Sequence, residues 1–176
     1  MNNEEHQSSQ LDGRLKYDYE FAGGVFNSYF FQTNNGIIYE ILFKPSGYIF
    51  PENVTFREET FEFSILVTDN PTNKKPPLDK FIPSTIASIF SEFFRQKERI
   101  VVYICETSDF RAMARNRKFN QWFDWYKGTS FMKIDMQMGQ DHKGETYFTS
   151  MIIRADNPNI GEVVVAFRNL IEANQK

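Results

Sequence analysis

This chain is poor in cysteine and histidine and has no long apolar run, and each shortage excludes a class of function. Cys105 is the single cysteine among 176 residues. No intramolecular disulfide can form, and no cysteine-rich zinc site can be built. Cys105 falls in an apolar strand, where a small buried hydrophobe with an inert thiol is the expected role. The two histidines, His6 and His142, have no companions at metal-ligand spacing, so no metal site is expected. Nothing approaches the roughly 20 consecutive apolar residues that cross a bilayer. The opening Met1-Asn-Asn-Glu-Glu-His-Gln-Ser-Ser-Gln10 has neither the positive n-region nor the apolar h-region of a secretory signal. The expectation is a cytoplasmic protein without membrane attachment.

An excess of positive charge is missing as well. Twenty Lys and Arg stand against 23 Asp and Glu, for a net charge of −3 and an isoelectric point near 5.5. General attraction for nucleic acid draws on the release of counterions from many neutralised phosphates, so nucleic acid is not an expected partner, although a local basic patch is compatible with this balance. There is no nucleophile elbow, P-loop, dinucleotide glycine pattern, zinc spacing or RNA-binding aromatic motif. The sequence therefore assigns no catalytic residue and no cofactor, and it leans away from a common enzyme.

What the chain does have is aromatic mass: 19 Phe, 8 Tyr and 2 Trp. A core dominated by large flat rings packing edge to face is expected. A source-genome preference for Phe, Asn, Ile and Lys explains the surplus as readily as an aromatic binding surface does. The length suits one domain with a substantial core. Residues 1–15 are polar and aperiodic and read as a disordered tail, leaving 16–176 as a single α+β domain.

Hydrophobic periodicity lays out the elements. Tyr29 to Thr33 and Ile37 to Phe43 are strand-like runs around Asn34-Asn35-Gly36, residues that tolerate the positive φ of hairpin turns. Tyr17 to Phe21 alternates aromatic and acidic residues, giving an optional earlier edge strand that ends at Gly23-Gly24. Thr60 to Val67 alternates and then turns continuously apolar, which predicts a strand with one well-buried end. The proline-rich stretch Asp69 to Pro77 is a surface loop. Ser84 is placed to cap a helix with Ile86, Ile89, Phe90, Phe93 and Phe94 on one face, ending near Gln96. Ile100 to Cys105 is a nearly all-apolar and therefore central strand. An arginine-bearing helix follows, capped by Ser108 or Asp109 and stopped by Gly128. Phe131 to Met138 and Tyr147 to Arg154 form a second antiparallel hairpin, and Asn157-Pro-Asn159 opens a last helix with Val163, Val164, Phe167, Leu170 and Ile171 inward. The order β-β-β-α-β-α-β-β-α predicts an α+β fold, a mainly antiparallel sheet with helices packed on one face.

The candidate site sits where the central strand runs into the arginine-bearing helix. At about 100° per residue, Ala112, Phe119, Trp122, Phe123 and Tyr126 share one face, and Arg115 falls in the same arc. A buried guanidinium must be paired, because an unpaired one costs several kcal/mol. Two readings stay open. In one, Arg115 makes an internal pair with Glu106, Asp109 or another carboxylate. In the other, Arg111 and Arg115 with Thr107 and Ser108 line an anion or carboxylate pocket, and Glu106 or Asp109 acts as base or metal ligand. Asp109 weighs against the second, since it brings negative charge to a helix N-terminus that would otherwise attract an anion. Trp122 belongs to the core, whereas Trp125 lies toward the edge of the arc, where tryptophan serves as an interface anchor.

Four segments carry a resemblance: Tyr29 to Tyr39, Ser84 to Phe94, Val102 to Arg117 with Phe119, Trp122 and Phe123, and Arg154 to Pro158. The chain resembles an uncharacterised family of proteins of unknown function found mainly in Bacteroidetes. The resemblance spans most of the chain after the tail and implies no activity. The leading expectation is a non-catalytic interaction module for an unknown protein partner. The alternative is an enzyme or binding protein for a phosphate- or carboxylate-bearing ligand, a nucleotide or nucleic acid among them. An edge-strand homodimer is compatible with both.

Overall fold

The computed structural model describes residues 15–105, 111–140, 142, 144 and 146–174. Seven strands are hydrogen-bonded in the order β1-β2-β3-β4-β5-β7-β6. They are β1 (Tyr19–Gly23), β2 (Ser28–Gln32), β3 (Ile38–Pro45), β4 (Thr60–Asp69), β5 (Ile100–Ile104), β6 (Phe131–Gln140) and β7 (Thr146–Arg154). The helices are α1 (Phe81–Phe93), α2 (Ala112–Tyr126) and α3 (Ile160–Asn174). The expected α+β order holds, with the optional early strand present as β1. The sheet is mixed but mainly antiparallel: β4 and β5 pair in parallel, while β1 with β2, β2 with β3, β5 with β7 and β6 with β7 are antiparallel. Backbone contacts group the chain into two compact units, the first reaching Ile41 and taking up Ile65–Arg95, the second made of Leu42–Ser64 with the chain from Gln96 onward.

In the first unit the aromatic surplus becomes a packed layer. The β2–β3 hairpin turns over Thr33 to Ile37, with Gly36 at φ +76 where a side chain would be strained. Phe31 stacks on Tyr39 at 5.2 Å, and Tyr17 stacks on Phe31 at 6.0 Å while meeting Phe81 edge-on at 5.6 Å. The tyrosine hydroxyls are tied down at the margin. Tyr17 donates to Asp79 Oδ2 at 2.6 Å and Tyr19 to Glu92 Oε2 at 3.0 Å, and burial first, then these carboxylates, push both phenols upward in pKa.

One local expectation changes. Helix α1 begins at Phe81, not at Ser84: Asp79 Oδ1 accepts the Phe81 N–H at 2.9 Å, and Pro83 sits in the first turn, where a missing N–H removes no helical bond. Ser84 lies buried inside the helix and donates to the carbonyl of Leu15 at 2.7 Å. Strand β4 has one well-buried end, as expected, and it is the earlier one. Thr60, Phe61 and Phe63 are buried, whereas Ile65, Leu66 and Val67 are exposed. Burial follows from what packs on a strand, and the ladder to β5 covers Thr60 to Glu62.

In the second unit β5 is flanked on both sides, by β4 and β7, as its apolar run predicts. Alternation splits its side chains between two faces. Ile100 joins Met151 and Ile153 in a core with Phe50, Phe56 and, from α3, Val163, Phe167 and Ile171. Tyr103 points the other way, with its ring 4.2 Å from that of Phe119 on α2. Helices α2 and α3 therefore cover opposite faces of this part of the sheet, which corrects the expectation of one helical face. The reason is that β5 and β7 are apolar on both sides and each side needs a cover. Asn157 opens α3 as expected, its Oδ1 accepting the Asn159 N–H at 2.8 Å and its Nδ2 donating to the Glu98 carbonyl at 3.1 Å.

Candidate functional site at helix α2

Helix α2 is seated by few residues. Ala112 and Phe119 are its buried side chains, and the Phe119 ring lies 6.0 Å from Phe63 as well as against Tyr103. Trp122, Phe123 and Tyr126, expected on the inward face, are half-buried. The helix ends as expected before Gly128, whose φ of +53 is the left-handed stop that glycine accepts best.

Arg115 is half-buried, so the fully buried guanidinium of the arc argument is not what the fold builds. Its charge bears on Tyr103 and Cys105 at the end of β5. Arg111 occupies the N-cap position of α2 without a side-chain cap and is exposed; its carbonyl accepts the Arg115 N–H at 2.9 Å. Both arginines take part in interactions and neither is free. The other four expected site residues, Glu106, Thr107, Ser108 and Asp109, lie outside the described residues, and so does the proposed cap by Ser108 or Asp109.

Beneath the helix is a polar cluster that periodicity did not single out. Lys133 on β6 donates to Asn120 Oδ1 at 2.8 Å and to Asp135 Oδ1, and its ammonium lies 5.6 Å from the Phe123 ring centre. Ser150 on β7 donates to the same Asp135 oxygen at 2.6 Å. The Lys133 side chain is only 7% exposed, while that of Asp135 is 48% exposed. Register explains the assembly: Asp135 is paired with Ser150, and Ser150 with Tyr103, so one row crosses three strands under α2. Burial pushes the Cys105 thiol up despite the Tyr103 hydroxyl and the Arg115 charge, which pull it down. A protonated, buried thiol beside a satisfied ion pair is a structural arrangement, without the exposed cationic setting of a nucleophile. Charged residues pointing inward on an edge strand also discourage that edge from pairing with another chain. The available signal was Lys133 and Asp135 at alternate positions of a strand otherwise carrying Met132, Ile134 and Met136.

The outward side of α2 is different. Met113, Arg117, Gln121 and Trp125 follow one another at four-residue intervals, a single row along the helix, and all four are exposed. Met113 is 58% and Trp125 75% exposed. Among the described residues no group of three or more His, Cys, Asp or Glu is placed to hold a metal ion, and no helix is long and apolar enough to cross a membrane.

Residues 78–169, just over half of the sequence, match a family of unknown function (DUF6169). The chain belongs to this family. The matched region takes in α1, β5, α2, β6, β7 and most of α3, so both the polar cluster and the outward row of α2 lie within it. No curated protein and no solved structure matches the chain.

Proposed function

We propose that this member of the family is a non-catalytic protein interaction module whose contact surface is the outward row of α2. The observation that carries the reading is the exposure of Trp125 and Met113 at the two ends of one helical row that has Arg117 between them. Tryptophan, methionine and arginine are enriched at interface centres, and tryptophan supplies large contact area with few rotatable bonds. Trp125 has an interaction within the chain and still leaves three quarters of its surface open, enough to enter a partner's pocket.

The test is a photo-crosslinking amino acid at Gln121 of the full-length chain, irradiated in cells of the source organism, with Glu20 on β1 as the control position. A discrete adduct from position 121, absent from position 20 and reduced about tenfold or more by Trp125→Ala, is the expected result. Equal labelling from both positions would remove the reading.

A second reading retains an anionic, phosphate- or carboxylate-bearing ligand, held by Arg111 and Arg115 with Thr107 and Ser108, and with Glu106 or Asp109 as base or metal ligand. What favours it is the placement of two arginines four residues apart at the start of α2, Arg111 exposed and Arg115 half-buried. Calorimetric titration with inorganic phosphate separates the two readings: saturable heat abolished by Arg115→Ala supports the ligand site, and absence of heat at millimolar phosphate counts against it.

A further inference from the structure

We infer that the partner surface received by α2 is an acidic protein segment, an inference that rests on the interaction reading of this helix. From Arg111 to Lys127 the chain carries five cations against one carboxylate, Asp124. That is a net charge of +4 in a chain whose total is −3, so the remaining sequence carries −7. The cations are not equivalent. Lys127 is bound to Asp124 at 2.7 Å, Lys118 holds its ammonium 4.8 Å from the Trp122 ring centre, and Arg111 and Arg115 have interactions of their own. Arg117 stands exposed in the outward row, four residues from Met113 and eight from Trp125, with exposed Lys118 beside it.

Like charges three and four residues apart weaken a helix, and Arg111, Arg115 and Lys118 are so spaced. A helix of this charge in an acidic protein is matched by a partner of opposite sign. Complementary charge around an aromatic anchor steers encounter and fixes register, while the apolar ends of the row supply the contact area. A protein segment fits better than nucleic acid. A polyanion needs many neutralising cations along its length, whereas Asp124 immediately precedes Trp125 in the helix and the rest of the chain is strongly negative. A short acidic segment meets only the helix.

The same crosslinker at Gln121 tests this, comparing the parent with a variant carrying Arg117→Glu and Lys118→Glu, with and without nuclease, and identifying the joined peptide by mass spectrometry. The expected result is a nuclease-resistant adduct whose partner peptide has more Asp and Glu than Lys and Arg, reduced about tenfold by the charge reversal. Arg117→Gln with Lys118→Gln is the milder variant, used if the reversal alters the melting curve, and is expected to lower the yield roughly threefold. A protein adduct untouched by these changes, or a neutral or basic partner peptide, overturns the acidic partner and leaves the interaction reading standing. No adduct, or one removed by nuclease, overturns the interaction reading itself.

Discussion

Helices α2 and α3 cover opposite faces of the same strands, yet they are attached in different ways. Helix α3 commits Val163, Phe167 and Ile171 to a core with Ile100, Met151 and Ile153, all of them at or near zero exposure. Helix α2 commits Ala112 and Phe119, leaves Trp122 and Phe123 half-covered, and has Lys133, Asp135 and Ser150 beneath it. One helix is a structural cover whose apolar stripe is used up in folding. The other is held by a smaller contact and turns large side chains outward. A helix that must present a surface needs only enough burial to hold its place, and the remainder of its sequence is then free to serve another purpose.

The largest expected effect is on the α3 side. Phe167→Ala should lower unfolding free energy by about 4 kcal/mol, read from urea midpoints, because a fully buried ring leaves a cavity that the neighbours cannot fill. Phe119→Ala, the corresponding change on α2, should lower it by about 3 kcal/mol at most, since its ring rests on Tyr103 and Phe63 at the margin of the core. Equal losses would erase the distinction between the two helices. Arg115→Ala should cost about 1 kcal/mol in the same assay, the ordinary range for a half-buried polar residue. A loss of about 3 kcal/mol or more would instead mark it as one half of an internal ion pair.

The α2 side also titrates. Burial raises the Cys105 thiol and the Tyr103 phenol, so in alkali the unfolded chain gives up these protons before the folded one does. That stability is fully present below the ordinary thiol value of 9.0 and falls as pH rises beyond it. Melting temperatures measured from pH 7 to 10.5 should decline, and Cys105→Ala should flatten the first part of the decline. The smallest expected effect is that of Trp125→Ala, within about 0.5 kcal/mol of the parent by urea denaturation. A loss above about 2 kcal/mol would show Trp125 to be part of the fold and would sharpen the comparison against the interaction reading.

Much of the architecture was legible in the residues. Strand-like apolar runs around a turn marked β2 and β3, alternation marked β6 and β7, the 3.6-residue period marked α1, α2 and α3, and Asn34-Asn35-Gly36 and Asn157-Pro-Asn159 marked a turn and a helix start through their backbone preferences. What the residues did not show has physical causes. Ser84 is a good cap by residue type, and only the chain path shows that the helix starts earlier, at Phe81, whose N–H is taken by Asp79. Ile65, Leu66 and Val67 are as apolar as any core strand, but burial depends on a neighbour that residue type does not specify. The candidate site was legible in part. Arg111 and Arg115 were singled out at the start of α2 by their place in the sequence, whereas the meeting of Lys133, Asp135, Ser150 and Asn120 was not.

The sequence by itself determined which segments are helices and strands, because periodicity, turn residues and backbone preferences act within a few residues of one another. It also determined the charge contrast of α2 with the rest of the chain, since charge is a property of composition. Tertiary structure alone decided which face each helix covers, which end of β4 is buried, and that β6 and β7 lay an ion pair and a serine under α2. Those outcomes depend on strand order and register, which bring together residues from distant parts of the chain and which no local pattern encodes.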